Sequence, residues 1–311
     1  MGNKQSRRVF LSNVGMGVLG TFFLTAGAGN LAAMDKDSRP NIVFIFADDL
    51  GWTDLGCYGN TYYETPNINK LQKDGMKFTN AYATPLCGPS RACLYTGQNV
   101  TTHGAWTNWD FVQAYNRRPE LGFLQPDCKR NLDPKTVTFT ELLKDAGYKT
   151  AMIGKSHMVS QRQAAGFDLH VQRLIRNRQA DYFKYGIASR PRGEPNEEGE
   201  YINDYFTDRV LDYIEDSKDE RFFLLLSTHL PHTPVQGKPE IVKKYQEKDR
   251  GSSPHKSAAY AAMVETIDTN TGRILKKLED LNIRKNTLII FASDNGGLLS
   301  PGATSNSHLN K

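Results

Sequence analysis

Residues 41–47 read Asn-Ile-Val-Phe-Ile-Phe-Ala and end on two adjacent acids, Asp48 and Asp49. A strand with one wet face alternates apolar and polar side chains, whereas a strand covered on both faces reads as a continuous apolar run. This stretch therefore predicts a strand inside a parallel sheet. The same reading applies to Phe222-Phe223-Leu224-Leu225-Leu226-Ser227 and to Thr287-Leu288-Ile289-Ile290-Phe291-Ala292-Ser293, and a shorter run at 148–153 adds another. Parallel neighbours need crossover connections, usually helices. Helical spacing is found at 67–75, 204–214 and 257–281, and at 138–147, where Thr138 and Glu141 form a capping box and Phe139, Leu142, Leu143 and Ala146 make one apolar stripe. The expected fold class is α/β, a mixed and largely parallel sheet sandwiched by helices.

Polar residues gather where these strands end. Asp48 and Asp49 follow the first run, Lys155 and His157 the 148–153 strand, His229 and His232 the 222–227 strand, and Asp294 and Asn295 the last. Ligands of open α/β sheets bind in the crevice beyond the carboxyl ends of the strands. Two adjacent carboxylates repel unless water or a cation relieves them. Three carboxylates and an amide oxygen form a hard, all-oxygen set suited to Ca²⁺ or Mg²⁺ rather than zinc.

A second feature is Cys87-Gly88-Pro89-Ser90-Arg91, followed by Leu94, Thr96 and Gly97. Pro89 fits the first turn of a helix, which places Cys87 at a helix N-terminus beside a guanidinium, the setting of a low-pKa thiol. The alternative is a small buried cysteine next to a turn. Cys57, Cys93 and Cys128 are too few and too irregularly spaced for a disulfide framework or a zinc site, and Cys57 and Cys93 read as buried packing residues.

The Cys-x-Pro-Ser-Arg pentapeptide, the Asp48-Asp49 block running on to Thr65-Pro66-Asn67, Gly154-Lys155-Ser156-His157 and Asp294-Asn295-Gly296 together resemble the type I sulfatases of the alkaline phosphatase superfamily. The resemblance spans nearly all of 40–297. It implies that Cys87 is converted to formylglycine by a formylglycine-generating enzyme, that Asp48, Asp49, Asp294 and Asn295 hold Ca²⁺ in preference to Mg²⁺, and that a sulfate ester is hydrolysed. In the implied roles Arg91 holds the aldehyde hydrate, Asp294 accepts its proton, and Lys155 and Arg91 stabilise the sulfuryl oxygens. His229 protonates the leaving alcohol and His157 deprotonates the remaining hydroxyl as sulfate departs. Lys155, His229 and His232 are the expected substrate contacts. Ser156 departs from the family, where that position is usually aromatic. The resemblance also implies a further C-terminal part containing another active-site lysine, so 34–311 reads as a catalytic domain incomplete at its C-terminal end. Two other readings share the layout: a phosphonate or phosphate monoester hydrolase of the same superfamily, and an inactive fragment that binds sulfated glycan.

Composition narrows the setting. Of 39 Lys and Arg, three lie in the first 33 residues, which carry no acid; the rest stand against 34 acids, a balance that gives no reason to expect a nucleic-acid partner. Ser6-Arg7-Arg8-Val9-Phe10-Leu11, a glycine-interrupted apolar run and Ala26-Gly27-Ala28 resemble a twin-arginine export signal over 1–33. Passage through the twin-arginine translocase to a bacterial periplasm or the exterior is expected. The stretch 99–134 has no clear period; its Trp106, Trp109, Tyr115, Arg117 and Arg118 are consistent with a wall of a pocket for a sulfated sugar and equally with an ordinary long surface loop, and His103 reads as a packing or pocket-edge residue. The stretch 161–199 reads as a charged surface excursion.

Overall fold

The structure is a computed structural model that describes residues 39–116, 120, 122, 126–157, 166–174, 181–190, 199–251, 253–254, 257–299, 304 and 306. The expected export segment 1–33 lies outside the described residues, as do Arg117, Arg118 and the side chains of Trp109 and Tyr115. From Pro40 onward the chain forms one compact unit.

The strands are β1 (Asn41–Asp48), β2 (Lys149–Gly154), β3 (Leu169–Leu174), β4 (Gly186–Arg190), β5 (Phe222–Pro231) and β6 (Thr287–Ser293), and they lie in the order β4-β3-β2-β5-β1-β6. All neighbours are parallel except β3 with β4. The strands whose ends carry the expected site residues, β2, β5, β1 and β6, are therefore contiguous. Their carboxyl ends open on one edge of the sheet.

The continuous apolar runs do cover two faces. Val43, Ile45 and Ala47 of β1 with Leu224 and Leu226 of β5 pack with Phe206, Ile214, Met263 and Ile267, which belong to helices α6 (Ile202–Asp216) and α8 (Ala258–Asp280). Phe44, Phe46, Phe223 and Leu225 point the other way, onto Ala92 and Tyr95 of α2 (Cys87–Thr96) and Phe139 and Leu143 of α5 (Phe139–Asp145). Fully burying each such side chain stabilises the fold by about 1.5–3 kcal/mol before entropy is counted. Helices α1 (Pro66–Asp74), α3 (Val100–His103), α4 (Trp109–Asn116) and α7 (Pro239–Glu247) complete the elements used below.

Several sequence expectations need correction. The stretch 161–199 contributes β3 and β4 to the sheet rather than a mere excursion, and 99–134 contains α3 and α4. In the capping-box helix, Glu141 accepts from the Thr138 N–H at 2.7 Å as expected, but Leu142 is 60% exposed and does not join the stripe. On edge strand β6, Leu288 and Ile290 are exposed while Ile289 and Phe291 pack inward, so only one of its faces is covered. Cys57 and Cys93 are only half-buried.

Gly154, which closes β2, has φ +112°, and a Cβ there would sit 1.9 Å from the Ser227 carbonyl oxygen. That approach lets Ser227 O accept from Lys155 N at 2.7 Å and so aims the Lys155 segment at the strand ends. Gly154→Ala combines a disfavoured backbone conformation with a backbone clash. The expected destabilisation is about 3 kcal/mol, read as a fall of roughly 5–10 °C in Tm by differential scanning calorimetry.

Candidate active site

The Cys87-Gly88-Pro89 turn opens α2, with Cys87 as its first residue and Leu86 as the N-cap. Gly88 N–H donates to Asn108 Oδ1 at 3.2 Å, Ser90 Oγ donates to the Asp294 carbonyl, and Arg91 runs under the strand ends. Its guanidinium is completely buried. Nε donates to Asp294 Oδ2 at 3.0 Å, Nη2 lies 2.9 Å from the same oxygen and 3.5 Å from Asp48 Oδ1, and Nη1 donates to Ser227 Oγ. Ser227 Oγ passes a bond on to the Lys155 carbonyl, and Lys155 Nζ meets Asp48 Oδ2 at 2.6 Å. Two cations, Arg91 and Lys155, and two carboxylates, Asp48 and Asp294, thus interlock.

Asp49 sits just past β1 with φ +62°, a left-handed conformation uncommon for a non-glycine residue. This turns its carboxylate back toward the site, where Asn295 Nδ2 donates to Oδ1 at 2.7 Å and the Cys87 thiol lies 3.6 Å from the same oxygen. Asp49 N–H donates to Asp294 Oδ1 at 3.1 Å, and Tyr260 OH holds the Asp49 carbonyl and Asp54 Oδ2. Strain of this kind is kept where the surroundings over-determine it.

Ligand atoms of Asp48, Asp49, Cys87 and Asp294 all lie within 4.8 Å of one another. Asn295 Oδ1 is buried and accepts no hydrogen bond, and Asp48 Oδ1, likewise buried, faces Arg91 Nη2 across 3.5 Å without forming one. Buried acceptors without donors are costly unless something electropositive faces them. Oxygen donors from three carboxylates and one amide fit a hard divalent cation, which Asp48, Asp49, Asp294 and Asn295 would hold.

The electrostatics follow from crowding. Burial works against the Asp48 carboxylate, but Lys155 and Arg91 more than offset it and hold its pKa well below the usual range. Burial pushes the Asp294 carboxyl up to about 6, with Arg91 opposing. Burial, followed by the charge of Lys155, depresses both His157 and His229 to about 3. For Cys87 the expected low-pKa thiol is not found: burial and then the Asp48 charge push it well above its ordinary value. The helix N-terminus is outweighed because the thiol faces carboxylates.

Of the histidines, His232 joins the cluster, with a ring nitrogen within 4.8 Å of ligand atoms of Asp49 and Cys87. His229 stacks on Phe206, centroids 5.7 Å apart, and Nδ1 of both His157 and His229 is buried without a hydrogen-bond partner. His232 donates through Nδ1–H to the Thr233 carbonyl at 2.7 Å, leaving Nε2 3.5 Å from Asp49 Oδ2. Ser156 Oγ donates to Gln172 Oε1 at 2.6 Å. His103 packs as expected: Nδ1 accepts from Ala105 N–H and Nε2 lies 3.3 Å from Cys93 Sγ. Trp106 Nε1 donates to the Asp127 carbonyl at 2.9 Å.

Sequence reasoning overlooked Ser227, Asn108, Tyr260 and Tyr182. Tyr182 is buried, and its hydroxyl reaches the carbonyls of His229, His232 and Thr233 at 3.2, 2.9 and 3.2 Å. It pins the end of β5, which carries His229, to the turn that carries His232. No local motif marks it, because it belongs to a stretch that lacks a strong period.

The family model for Sulfatase matches residues 40–311. A sulfatase of Formosa agariphila is 32% identical, with 91% of this chain and 62% of that protein covered. The N-acetylgalactosamine-6-sulfatase of Homo sapiens is 30% identical over 86% of this chain and 52% of its own length. Among solved structures, Ps i-CgsB in complex with k-i-k-neocarrahexaose superposes with a TM-score of 0.69 at 30% identity, covering 86% of this chain and 61% of that one. The chain thus spans between half and two thirds of the relatives it matches. A match of that extent, on a sheet whose contiguous strand ends bring the cysteine motif against the acids, makes the chain a member of the sulfatase family.

Proposed function

We propose that this chain is the part of a sulfuric ester hydrolase that holds the nucleophile, and that its substrate is a sulfated carbohydrate. The observation that carries this reading is the convergence of Cys87 with Asp48, Asp49 and Asp294 within 4.8 Å, over a buried Arg91. The named activities of relatives, N-acetylgalactosamine-6-sulfatases among them, support a sulfated sugar.

In this reading Cys87 is converted to formylglycine, whose hydrate supplies an oxygen nucleophile and a second hydroxyl for releasing sulfate. A divalent cation, which the all-oxygen donor set suits and which the family resemblance implies is calcium, would supply positive charge to the sulfuryl oxygens. Arg91 and Lys155 add fixed cations there, a contribution of about 3 kcal/mol for a well-placed group. Asp294 is placed to take a proton from the hydrate; burial raises its carboxyl, and a cation held beside it would work in the opposite direction. His229 is neutral at pH 7 because it is buried near Lys155; a bound sulfate ester brings an anion that opposes Lys155 and raises the affinity of His229 for the proton it must give to the leaving alcohol. His157 is likewise neutral and can accept a proton. His232 contacts the substrate edge. Export by a twin-arginine translocase to the periplasm or exterior belongs to the same proposal and rests on 1–33.

The test is mass spectrometry of the tryptic peptide 78–91 from protein made with a formylglycine-generating enzyme, together with sulfate release from sulfated sugars. The aldehyde and sulfate release are expected together. A persistent thiol with retained sugar binding would favour a glycan-binding fragment, and faster hydrolysis of a phosphate than of a sulfate ester of one alcohol would favour the phosphonate or phosphate hydrolase.

A further inference from the structure

Beyond the carboxylate cluster, Arg173 on β3 meets no carboxylate among the described residues. Strands β2 and β3 pair in parallel with Ile153 opposite Val171, so two residues further along each strand come Lys155 and Arg173. By the two-residue period of a strand, Arg173 shares the face of Val171, which packs in the cluster containing Tyr182 and Phe206. Its guanidinium lies over the Tyr182 ring, 5.5 Å from the centroid, and that ring is 6.5 Å from the imidazole of His229. Arg173 therefore stands one aromatic ring away from His229, the residue that the proposed function places at the leaving alcohol.

Its bonding is incomplete. Arg91, Arg209 and Arg273 each meet a carboxylate, at 2.9 Å for Arg91 and Arg209; Arg173 meets none among the described residues, and its Nε is buried without a hydrogen-bond partner. A guanidinium held over an aromatic ring is partly pre-organised, and its planar set of donors matches a sulfate or carboxylate. Its charge is also felt at His229 and at Tyr182. A guanidinium that meets no carboxylate among the described residues, one ring from His229, is suited to an anion carried by the substrate itself.

We infer that Arg173 forms a second anion subsite, which takes a sulfate or carboxylate on the sugar next to the ester being cleaved, and so selects glycans with more than one negative group. The inference rests on the sulfatase reading for the ester, but its test does not require turnover. Unmodified protein, in which Cys87 is a thiol, is titrated by calorimetry with N-acetylgalactosamine 6-sulfate and with N-acetylgalactosamine 4,6-disulfate. Native protein is expected to prefer the disulfate by about tenfold or more, Arg173→Met to lower that preference to about twofold or less, and Arg173→Lys, which keeps the charge but not the fork, to fall between. Circular dichroism checks folding, and Arg173→Gln replaces the Met variant if that one does not fold.

A ratio near one in native protein, no binding of either sugar, or a ratio that Arg173→Met leaves unchanged overturns the subsite. The last result would mark Arg173 as a support for Tyr182 and the end of β5 that carries His229, since such a role weakens both sugars alike. Sulfate release by the modified protein is scored separately. A preserved disulfate preference without release would remove the hydrolase reading and keep the subsite.

Discussion

Cys87→Ala is expected to lower sulfate release from a sulfated sugar by at least about 10⁴-fold while leaving the circular dichroism spectrum unchanged. The unmodified thiol form should be as inactive as the variant. The reason is in the site: burial and Asp48 push the thiol well above its ordinary pKa, and Asp49 Oδ1 stands 3.6 Å away. A protonated thiol beside carboxylates is a poor nucleophile at neutral pH, because the thiolate is the reactive species. Iodoacetamide at pH 7.5 should accordingly alkylate Cys87 far more slowly than free cysteine. Oxidation of this side chain removes the difficulty, since an aldehyde hydrate need not carry a negative charge before it meets the cation and Arg91. Rapid alkylation of Cys87, or turnover by thiol protein, would refute this account.

How far the sequence could be read depended on whether a residue's role was local. The apolar runs of β1 and β5 revealed the sheet because burial on both faces leaves no polar position, while β6, covered on one face only, reads the same way although Leu288 and Ile290 are exposed; the acids and histidines stood out because they follow such runs. Strands β3 and β4 did not. Their residues, Leu-His-Val-Gln-Arg-Leu and Gly-Ile-Ala-Ser-Arg, carry polar groups at the margin of the sheet and mimic a surface stretch. That misreading concealed Tyr182 and Arg173, whose importance comes from tertiary neighbours. The thiol pKa failed similarly: helix position is visible in a sequence, but the opposing Asp48 and Asp49 become neighbours only when β1 meets α2. Ser227 illustrates a third case. It ends an apolar run like any strand-terminal serine, yet its hydroxyl links Arg91 to the Lys155 carbonyl.

Arg91→Met is expected to cost about 3–5 kcal/mol of stability at pH 7.5 in cation-free buffer, measured by urea unfolding, in addition to loss of activity. Arg91 is completely buried between Asp294 and Asp48, and a methionine of similar length removes the charge without leaving a large void. Two carboxylates would then face each other with Lys155 as their remaining cation. The deficit should shrink on acidification. Burial already raises Asp294 to about 6, with Arg91 opposing, so the variant raises it further, above the unfolded value near 3.8. A carboxyl whose folded pKa exceeds its unfolded pKa stabilises the fold fully below the unfolded value and loses that contribution as pH rises through the folded one. The variant should therefore recover relative to native protein between pH 7.5 and 5. Added calcium chloride at pH 7.5 should narrow the gap by a different route, because a cation held by Asp48, Asp49 and Asp294 supplies the charge that Arg91 took away. Equal deficits at both pH values and with or without calcium would show that Arg91 acts by packing against Phe46, whose ring centroid is 4.9 Å from the guanidinium carbon, rather than by neutralising the acids.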